Sequence, residues 1–394
     1  MKIALVHCRL FPGGALEVFK DLIQQELKNH PNAEMKIFTM IADKDSRKKE
    51  KGKRILKVQI LGTEKKKQIE VVEALPKRVS KIFTTCSRKK IPIFSSLFDY
   101  RNLIVCYPWI MKVLSRKMRR FGPERVVISS FAIGKNVGVD FHPGGKLDVG
   151  WSPGWKSTKL YLHSPMQYIR SHREEYLAKF MGRKKKLFSF LVPRLQKWDQ
   201  QFTQFDEIIF NSKYTQKLAK EIYGMEGTVR YPKIHDTFYY AGVNLQPQEY
   251  FVCVGRLVTF VRECDLIIKA FNQLKLPLLM VGSGPDEVYL KSIAGDNIMF
   301  LGRLPPEETQ KIVRNAKGII NLTKESFGMG TVEALLMGVP VIGFNDGATP
   351  ELVDDHSWIL IEKKTIKNLI SAVKQFQGRK RDRKGISERI RRIV

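Results

Sequence analysis

Cysteine is scarce in this sequence, and the little there is shows no pairing. The five residues Cys8, Cys86, Cys106, Cys253 and Cys264 are odd in number and contain no C-x-x-C spacing. That argues against a disulfide framework and against a zinc site, and it suits a reducing compartment. Long apolar runs are missing as well. The stretch at residues 2–6 is too short for a secretory signal, and the most apolar later region, 91–114, is broken by Asp99, Arg101 and Lys112. A soluble or peripheral protein is therefore expected. No short-period repeat is present, which excludes a solenoid. Acidic residues are also in short supply, 39 Asp and Glu against 69 Lys and Arg.

What is present is a chain of 394 residues, 43% of them apolar, enough for two buried cores at about 100–200 residues per domain. The net charge of +30 calls for an anionic partner: nucleic acid, an anionic membrane or a phosphorylated ligand. The excess is uneven, +24 over residues 1–250 and +6 over 251–394. It therefore belongs mostly to the first half.

The pattern along the chain is α/β. A strand at 2–6, a Phe11-Pro12-Gly13-Gly14 turn, a helix at 15–28 and a strand at 34–40 make a Rossmann-like opening. Residues 43–90 read as lysine-rich loops with a helix near 67–83. A helix at 100–121, strands at 125–129, 159–162 and 206–210, and two basic helices within 170–202 follow, with Asn211-Ser212 capping the next helix. Residues 138–158 form a long Gly/Pro loop carrying Trp151 and Trp155. A second strand–helix series begins at Tyr250, with strands expected at 251–255, 277–281, 297–300, 317–321 and 339–343. The expected domains are 1–240 and 241–378, with 379–394 a last helix packing back towards the first domain.

Chemistry concentrates in Glu325-Ser326-Phe327-Gly328-Met329-Gly330-Thr331-Val332-Glu333. Two carboxylates flank a glycine turn that opens a helix, where backbone N–H groups and the helix N-terminus attract an anion. Taken alone, the segment reads equally well as an ordinary helix start. It is preceded by Val254-Gly255-Arg256-Leu257, Val281-Gly282-Ser283-Gly284-Pro285 and Phe300-Leu301-Gly302-Arg303, and followed by Gly338-Val339-Pro340-Val341. In this order the motifs resemble those of the retaining glycosyltransferases of family 4, which have the GT-B fold of two Rossmann-like domains facing across a cleft. Pro12-Gly13-Gly14-Ala15, Tyr161-Leu162-His163-Ser164-Pro165, Trp198-Asp199, Phe210-Asn211-Ser212 and Tyr231-Pro232 extend the likeness into the first half, in a bacterial subgroup that leans towards mannosyl transfer.

The resemblance implies roles. Arg256 and a second cation would hold the diphosphate of a nucleoside diphosphate sugar, with Gly282 in the same nucleotide site. The family carries Lys at the second position; the usual five-residue step forward from Arg256 lands on Val261, while counting back from Asp265-Leu266 lands on Arg262, which is preferred because a guanidinium holds a diphosphate bidentately and an apolar side chain cannot. Glu325 would engage the transferred sugar and Glu333 the ribose. Ser326, Phe327, Gly328, Met329, Gly330 and Thr331 would bring backbone N–H groups to the sugar and phosphates. Gly13 and Gly14 would leave room for the diphosphate, and His163 would lie near the donor sugar as a catalytic residue. No cofactor and no metal are implied, and Asp43-Lys44-Asp45 resembles a D-x-D signature only superficially.

The implied activity is hexosyl transfer with retention, GDP-mannose favoured, to a lipid-linked or polysaccharide acceptor in cell-surface glycan synthesis. The expected place of work is the cytoplasmic face of the membrane, reached through the basic first half. Met111–Arg120 mixes apolar and basic residues as an interfacial helix does. A GT-B-like binding protein without catalysis and a sugar-nucleotide epimerase are the alternatives. Nucleic acid is not expected as a partner, since no recognisable binding module accompanies the charge.

Overall fold

The computed structural model describes residues 1–394 except 12, 43–47, 51–52, 60–65, 77–78, 80–102, 104–105, 132, 139–154, 171–172, 174–176, 178–181, 202–203, 239–247, 354–357 and 379–381. Cys86, Asp43-Lys44-Asp45, Trp151 and most of the Gly/Pro loop lie outside the described residues. The chain divides into two compact units, Met1–Arg230 and Tyr231–Val394. The division at 230/231 precedes the expected 240/241 because Tyr231, Ile234 and Phe238 are apolar and pack into a core of the second unit.

In the first unit the strands are β1 (Lys2–His7), β2 (Arg9–Leu10), β3 (Glu34–Thr39), β4 (Ile41–Ala42), β5 (Lys48–Glu50), β6 (Lys53–Gln59), β7 (Lys66–Glu73), β8 (Arg125–Phe131), β9 (Ser157–Ser164), β10 (Glu207–Phe210) and β11 (Thr228–Val229). The helices are α1 (Gly14–Asn29), α2 (Tyr107–Phe121), α3 (Gly182–Asp199) and α4 (Lys213–Tyr223). Nine strands form one sheet in the order β11-β10-β9-β8-β1-β3-β7-β6-β5, and β2 pairs with β4 apart from it. Ile3, Ala4, Leu5 and Val6 are wholly buried, as a central strand covered by helices on both faces requires. α1 lays Leu16, Phe19, Ile23 and Leu27 over Ile3 and Leu5. Ser212 caps α4 as expected, its Oγ accepting from the N–H of Thr215 at 3.0 Å.

Two expectations fail here. The helix near 67–83 is instead β7 over 66–73, antiparallel to β6. Ile69 and Val71 alternate with more exposed neighbours, a period of two that β-branched residues reinforce. The apolar side of Met111–Arg120 is also no free interfacial face. Met111, Leu114 and Met118 of α2 are fully buried against Val126 and Ile128 of β8. Only Trp109, Arg116, Arg119 and Arg120 of this helix are exposed. Trp155 is buried in the same core.

The second unit alternates β12 (Phe251–Val254), α5 (Cys264–Leu274), β13 (Leu278–Val281), α6 (Glu287–Ser292), β14 (Ile298–Gly302), α7 (Pro306–Asn315), β15 (Gly318–Asn321), α8 (Met329–Leu336), β16 (Val341–Phe344), β17 (Trp358–Ile361), α9 (Ile366–Gln377) and α10 (Arg383–Arg391). All six strands are parallel, in the order β14-β13-β12-β15-β16-β17. Numbered within the unit this is 3-2-1-4-5-6, the doubly wound order.

The last helix, expected to pack back towards the first domain, has its described contacts inside this unit. Ile386 and Ile390 fill the core beneath α8, and Ser387 Oγ donates to the carbonyl of Leu336 at 2.5 Å. Arg383 Nη1 donates to the carbonyl of Arg314 at 2.6 Å and Nη2 to that of Ala316. Arg383→Ala leaves those carbonyls at the end of α7 unpaired. We expect a loss of about 2 kcal/mol and a melting transition about 4–8 °C lower. Calorimetry of the variant checks this, and an unchanged transition would mean the helix docks without its arginine.

Candidate active site

In the doubly wound order the chain reverses direction across the sheet between β12 and β15, so the turns leaving these strands diverge and open a crevice at their carboxyl ends. The turns after β12, β13 and β14 are laced together by backbone bonds. Gly255 N–H donates to Val281 at 2.8 Å, Gly282 to Gly302 at 2.7 Å and Leu257 to Ser283 at 3.2 Å. Gly282 has φ +134°, and a Cβ there would overlap the carbonyl oxygen of Gly255. Glycine is thus required for the turns to meet.

Beyond β12 the chain loops through residues 256–263 and is pinned to the next turn. The N–H and Oγ1 of Thr259 both donate to Asp286 Oδ2, at 2.8 and 2.9 Å. Glu263, at φ +53°, then starts α5, and its carboxylate pairs with Lys364 at 3.4 Å. This course folds Arg262 back over the end of β12. Its Nη1 donates to the carbonyl of Val254 at 3.1 Å, and its Nη2 lies 3.6 Å from Glu325 Oε1. The guanidinium occupies the space that a Cβ on Gly255 would take. Arg256 is exposed on the same loop.

The other wall follows β15. Asn321 Nδ2 donates to Thr331 Oγ1 at 2.9 Å and to Glu325 Oε2 at 3.4 Å, joining the two ends of the glycine turn. The carbonyl of Glu325 accepts from the N–H of Ala348 at 2.9 Å, and Lys324 pairs with Asp346 at 2.7 Å, so the turn after β16 holds Glu325 from behind. Phe327 turns inward, only 4% exposed and stacked on Tyr231 with centroids 5.7 Å apart; its backbone, not its ring, is what the turn can offer. Gly328 (φ +85°) precedes α8, whose first N–H groups, on Met329 and Gly330, have no acceptor inside the helix. Ser326 is half-buried and Gly330 exposed. Burial, with the Glu325 charge adding to it, pushes the carboxyl of Glu333 up to about 7. The buried Oγ1 of Thr323 takes no hydrogen bond among the described residues.

The structure thus gathers Arg262, Glu325, Glu333 and the 326–331 turn at the switch point, with Gly282 closing its floor. Gly13, Gly14 and His163 belong to the first unit. Gly13 has φ +154° at the start of α1, and Gly14 is the first residue of that helix. His163 ends β9 and is 7% exposed. Its Nε2 lies 2.9 Å from Ser129 Oγ, and burial pushes its pKa down to about 3, so the ring is neutral. It cannot be a general acid drawn from an imidazolium near neutral pH. Among the described residues no group of three or more His, Cys, Asp or Glu is placed to hold a metal ion.

Residues 248–377 match the family model described as Glycosyl transferases group 1. The second unit carries a group 1 glycosyltransferase domain. The fold of the whole chain is similar to that of sucrose-phosphate synthase from Thermosynechococcus elongatus, with 15% identity, TM-score 0.64, and coverage of 99% of this chain and 94% of that one. It is also similar to WaaG, a glycosyltransferase involved in lipopolysaccharide biosynthesis, with 14% identity, TM-score 0.60 and coverage of 99% and 94%. A third likeness is to HepE from Anabaena in complex with UDP and glucose, with 14% identity, TM-score 0.59 and coverage of 100% and 94%. These likenesses show the α/β fold of the GT-B glycosyltransferases. No curated protein sequence matches the chain.

Within the glycosyltransferase domain, sequence reasoning missed Asn321, Gly347 and Ala348. Asn321 stands four residues before Glu325, and Asp346-Gly347 is a turn dipeptide. Neither signal says that it reaches Glu325. Gly347 has φ +75°, and a Cβ there would strike the backbone of Glu325. Gly347→Ala is expected to cost about 1–3 kcal/mol. Gly330→Ala, where a Cβ would meet nothing within 4 Å, should be neutral or stabilising by up to about 1 kcal/mol. Urea melts of the two variants check the pair, and equal midpoints would show that the turn at 347 does not brace Glu325.

Proposed function

We propose that this protein transfers a hexose from a nucleoside diphosphate sugar to a lipid-linked or polysaccharide acceptor in cell-surface glycan synthesis, with retention at the anomeric carbon and without a metal. The observation that carries this reading is the meeting of Arg262 and Glu325 at the switch point of the glycosyltransferase domain, 3.6 Å apart. A cation for the diphosphate and a carboxylate for the sugar hydroxyls then stand side by side. Arg262 and the N–H groups opening α8 stabilise the charge that grows on the diphosphate as its bond to the anomeric carbon breaks. The acceptor oxygen bonds to that carbon from the same face, and its proton passes to the departing phosphate oxygen. Glu333 accepts the ribose hydroxyls.

GDP-mannose is the favoured donor, on the His163-Ser164-Pro165 resemblance. UDP-glucose is the competitor, since HepE has been solved in complex with it. The alternatives of a non-catalytic binding protein or an epimerase gain nothing from the match of residues 248–377. The basic excess of residues 1–250, with Trp109, Arg116, Arg119 and Arg120 exposed on α2, supports a peripheral place on an anionic membrane at its cytoplasmic face. Each basic residue there adds about 1 kcal/mol.

Thermal shift with GDP, UDP, GDP-mannose and UDP-glucose tests the donor site. One nucleotide series should stabilise the protein, Glu325→Ala should lose the added effect of the sugar, and stabilisation by none of them would remove the proposal. The pH dependence is a sharper check. The ribose hydroxyls donate to an ionised Glu333, which holds its proton below about 7 in the free protein. Nucleotide affinity should therefore rise as pH passes upward through 7 and level off above it. Glu333→Gln should bind more weakly at pH 8 and lose this dependence in calorimetric titrations. Binding to vesicles containing phosphatidylserine should fall steeply with salt, and salt-independent binding would argue against the membrane role.

A further inference from the structure

His163 does not stand alone at the end of its strand. β1, β8 and β9 are adjacent and parallel, and their carboxyl ends bring His7, Ser129 and His163 into one buried row. His7 Nδ1 lies 3.0 Å from Ser129 Oγ and 3.2 Å from the carbonyl oxygen of Ser129. Ser129 Oγ lies 2.9 Å from His163 Nε2. The first unit's sheet also reverses its winding at this point, between β1 and β8, where an open α/β sheet places its ligand.

The direction of these hydrogen bonds follows from one atom. A carbonyl oxygen only accepts, so His7 Nδ1, facing it at 3.2 Å, carries a proton. With that N–H shared between the carbonyl and the hydroxyl, Ser129 Oγ accepts from His7. Its own proton then points to the remaining partner, His163 Nε2, which accepts. A neutral imidazole has one proton, and on His163 it is left at Nδ1. That nitrogen takes no hydrogen bond among the described residues, and His163 as a whole is 7% exposed. Stacking on Phe19, centroids 4.7 Å apart and 11° from parallel, fixes the plane of His7. Thr215 Oγ1 donates to the carbonyl of His163 at 3.3 Å and holds the end of β9.

We propose that His7 and Ser129 are positioning residues that fix His163 as the Nδ1-protonated tautomer, so that the first unit presents a neutral hydrogen-bond donor, and no base, to an acceptor oxygen of the ligand. The class of ligand tested for that oxygen, a nucleoside diphosphate sugar, rests on the function proposed above. The relay itself rests on the first unit alone.

The test separates the two parts. Long-range proton–nitrogen correlation spectra of the full chain labelled at histidine, assigned with His7→Gln and His163→Gln, should show both rings protonated at Nδ1 at pH 7. Ser129→Ala should move His163 towards the Nε2-protonated form, and Ser129→Thr, which keeps the hydroxyl, should restore the original pattern. A wild-type His163 protonated at Nε2, or a pattern unchanged in Ser129→Ala, overturns the relay. For the ligand part, calorimetry compares GDP-mannose with GDP and UDP-glucose with UDP. Ser129→Ala should reduce the affinity added by the sugar about tenfold, the worth of one oriented hydrogen bond, and leave the plain nucleotide unchanged. Equal losses for nucleotide and sugar nucleotide would mark Ser129 as merely structural and overturn the positioning role. If neither sugar nucleotide binds the wild type, the proposed function and the ligand part fail together, while the spectra still decide the relay.

Discussion

The second unit depends on backbones meeting without side chains between them. The turns after β12 and β13 approach until the carbonyl of Gly255 occupies the place of a Cβ on Gly282. That contact sets how far the strand ends can converge, and Gly255 in turn leaves the space that the guanidinium of Arg262 fills. Arg262 can therefore lie back across the end of β12, bonded to Val254, and still reach Glu325 on the far side of the switch point. A side chain at Gly255 would displace the cation, and one at Gly282 would push the two turns apart.

The opposite wall is held by polar contacts. Asn321 ties Glu325 to Thr331, and the turn at Asp346-Gly347-Ala348 grips Glu325 from behind. The carboxylate is thus fixed through its backbone as well as its side chain, and the ordering is done before any ligand arrives. Glu333 is different in kind. Its burial beside another carboxylate makes it sensitive to pH near neutrality.

The first unit solves a related problem with uncharged groups. His7, Ser129 and His163 form a row in which one accepting carbonyl dictates every proton position. Both rings are held neutral by desolvation, which suits groups that orient hydrogen bonds and does not suit acid–base exchange near pH 7. The charge of +30 plays no visible part in either arrangement. On α2 it is confined to the face left over after Ile110, Met111, Leu114 and Met118 enter the core.

The amino-acid sequence by itself determined five of the second unit's six strands to within two residues, because fully buried parallel strands are continuous apolar runs punctuated by glycine turns; it did not announce β17, and it gave the helices no bounds. It also determined the glycine turn between two glutamates, whereas the course of the loop that brings Arg262 beside Glu325 was decided by the tertiary structure. It failed at β7, where lysines concealed a two-residue period, and at α2, where an amphipathic pattern cannot say whether water, lipid or the protein's own core covers its apolar face. It found His163 and gave no hint of His7 or Ser129, which lie 156 and 34 residues away in the chain. Only the tertiary structure could join these residues, or bring Asn321 and Gly347 to Glu325. The physical reason is that parallel pairing sets strands side by side that are far apart in sequence. Which polar groups then meet at their ends depends on strand order and register, and no local pattern of residues encodes those.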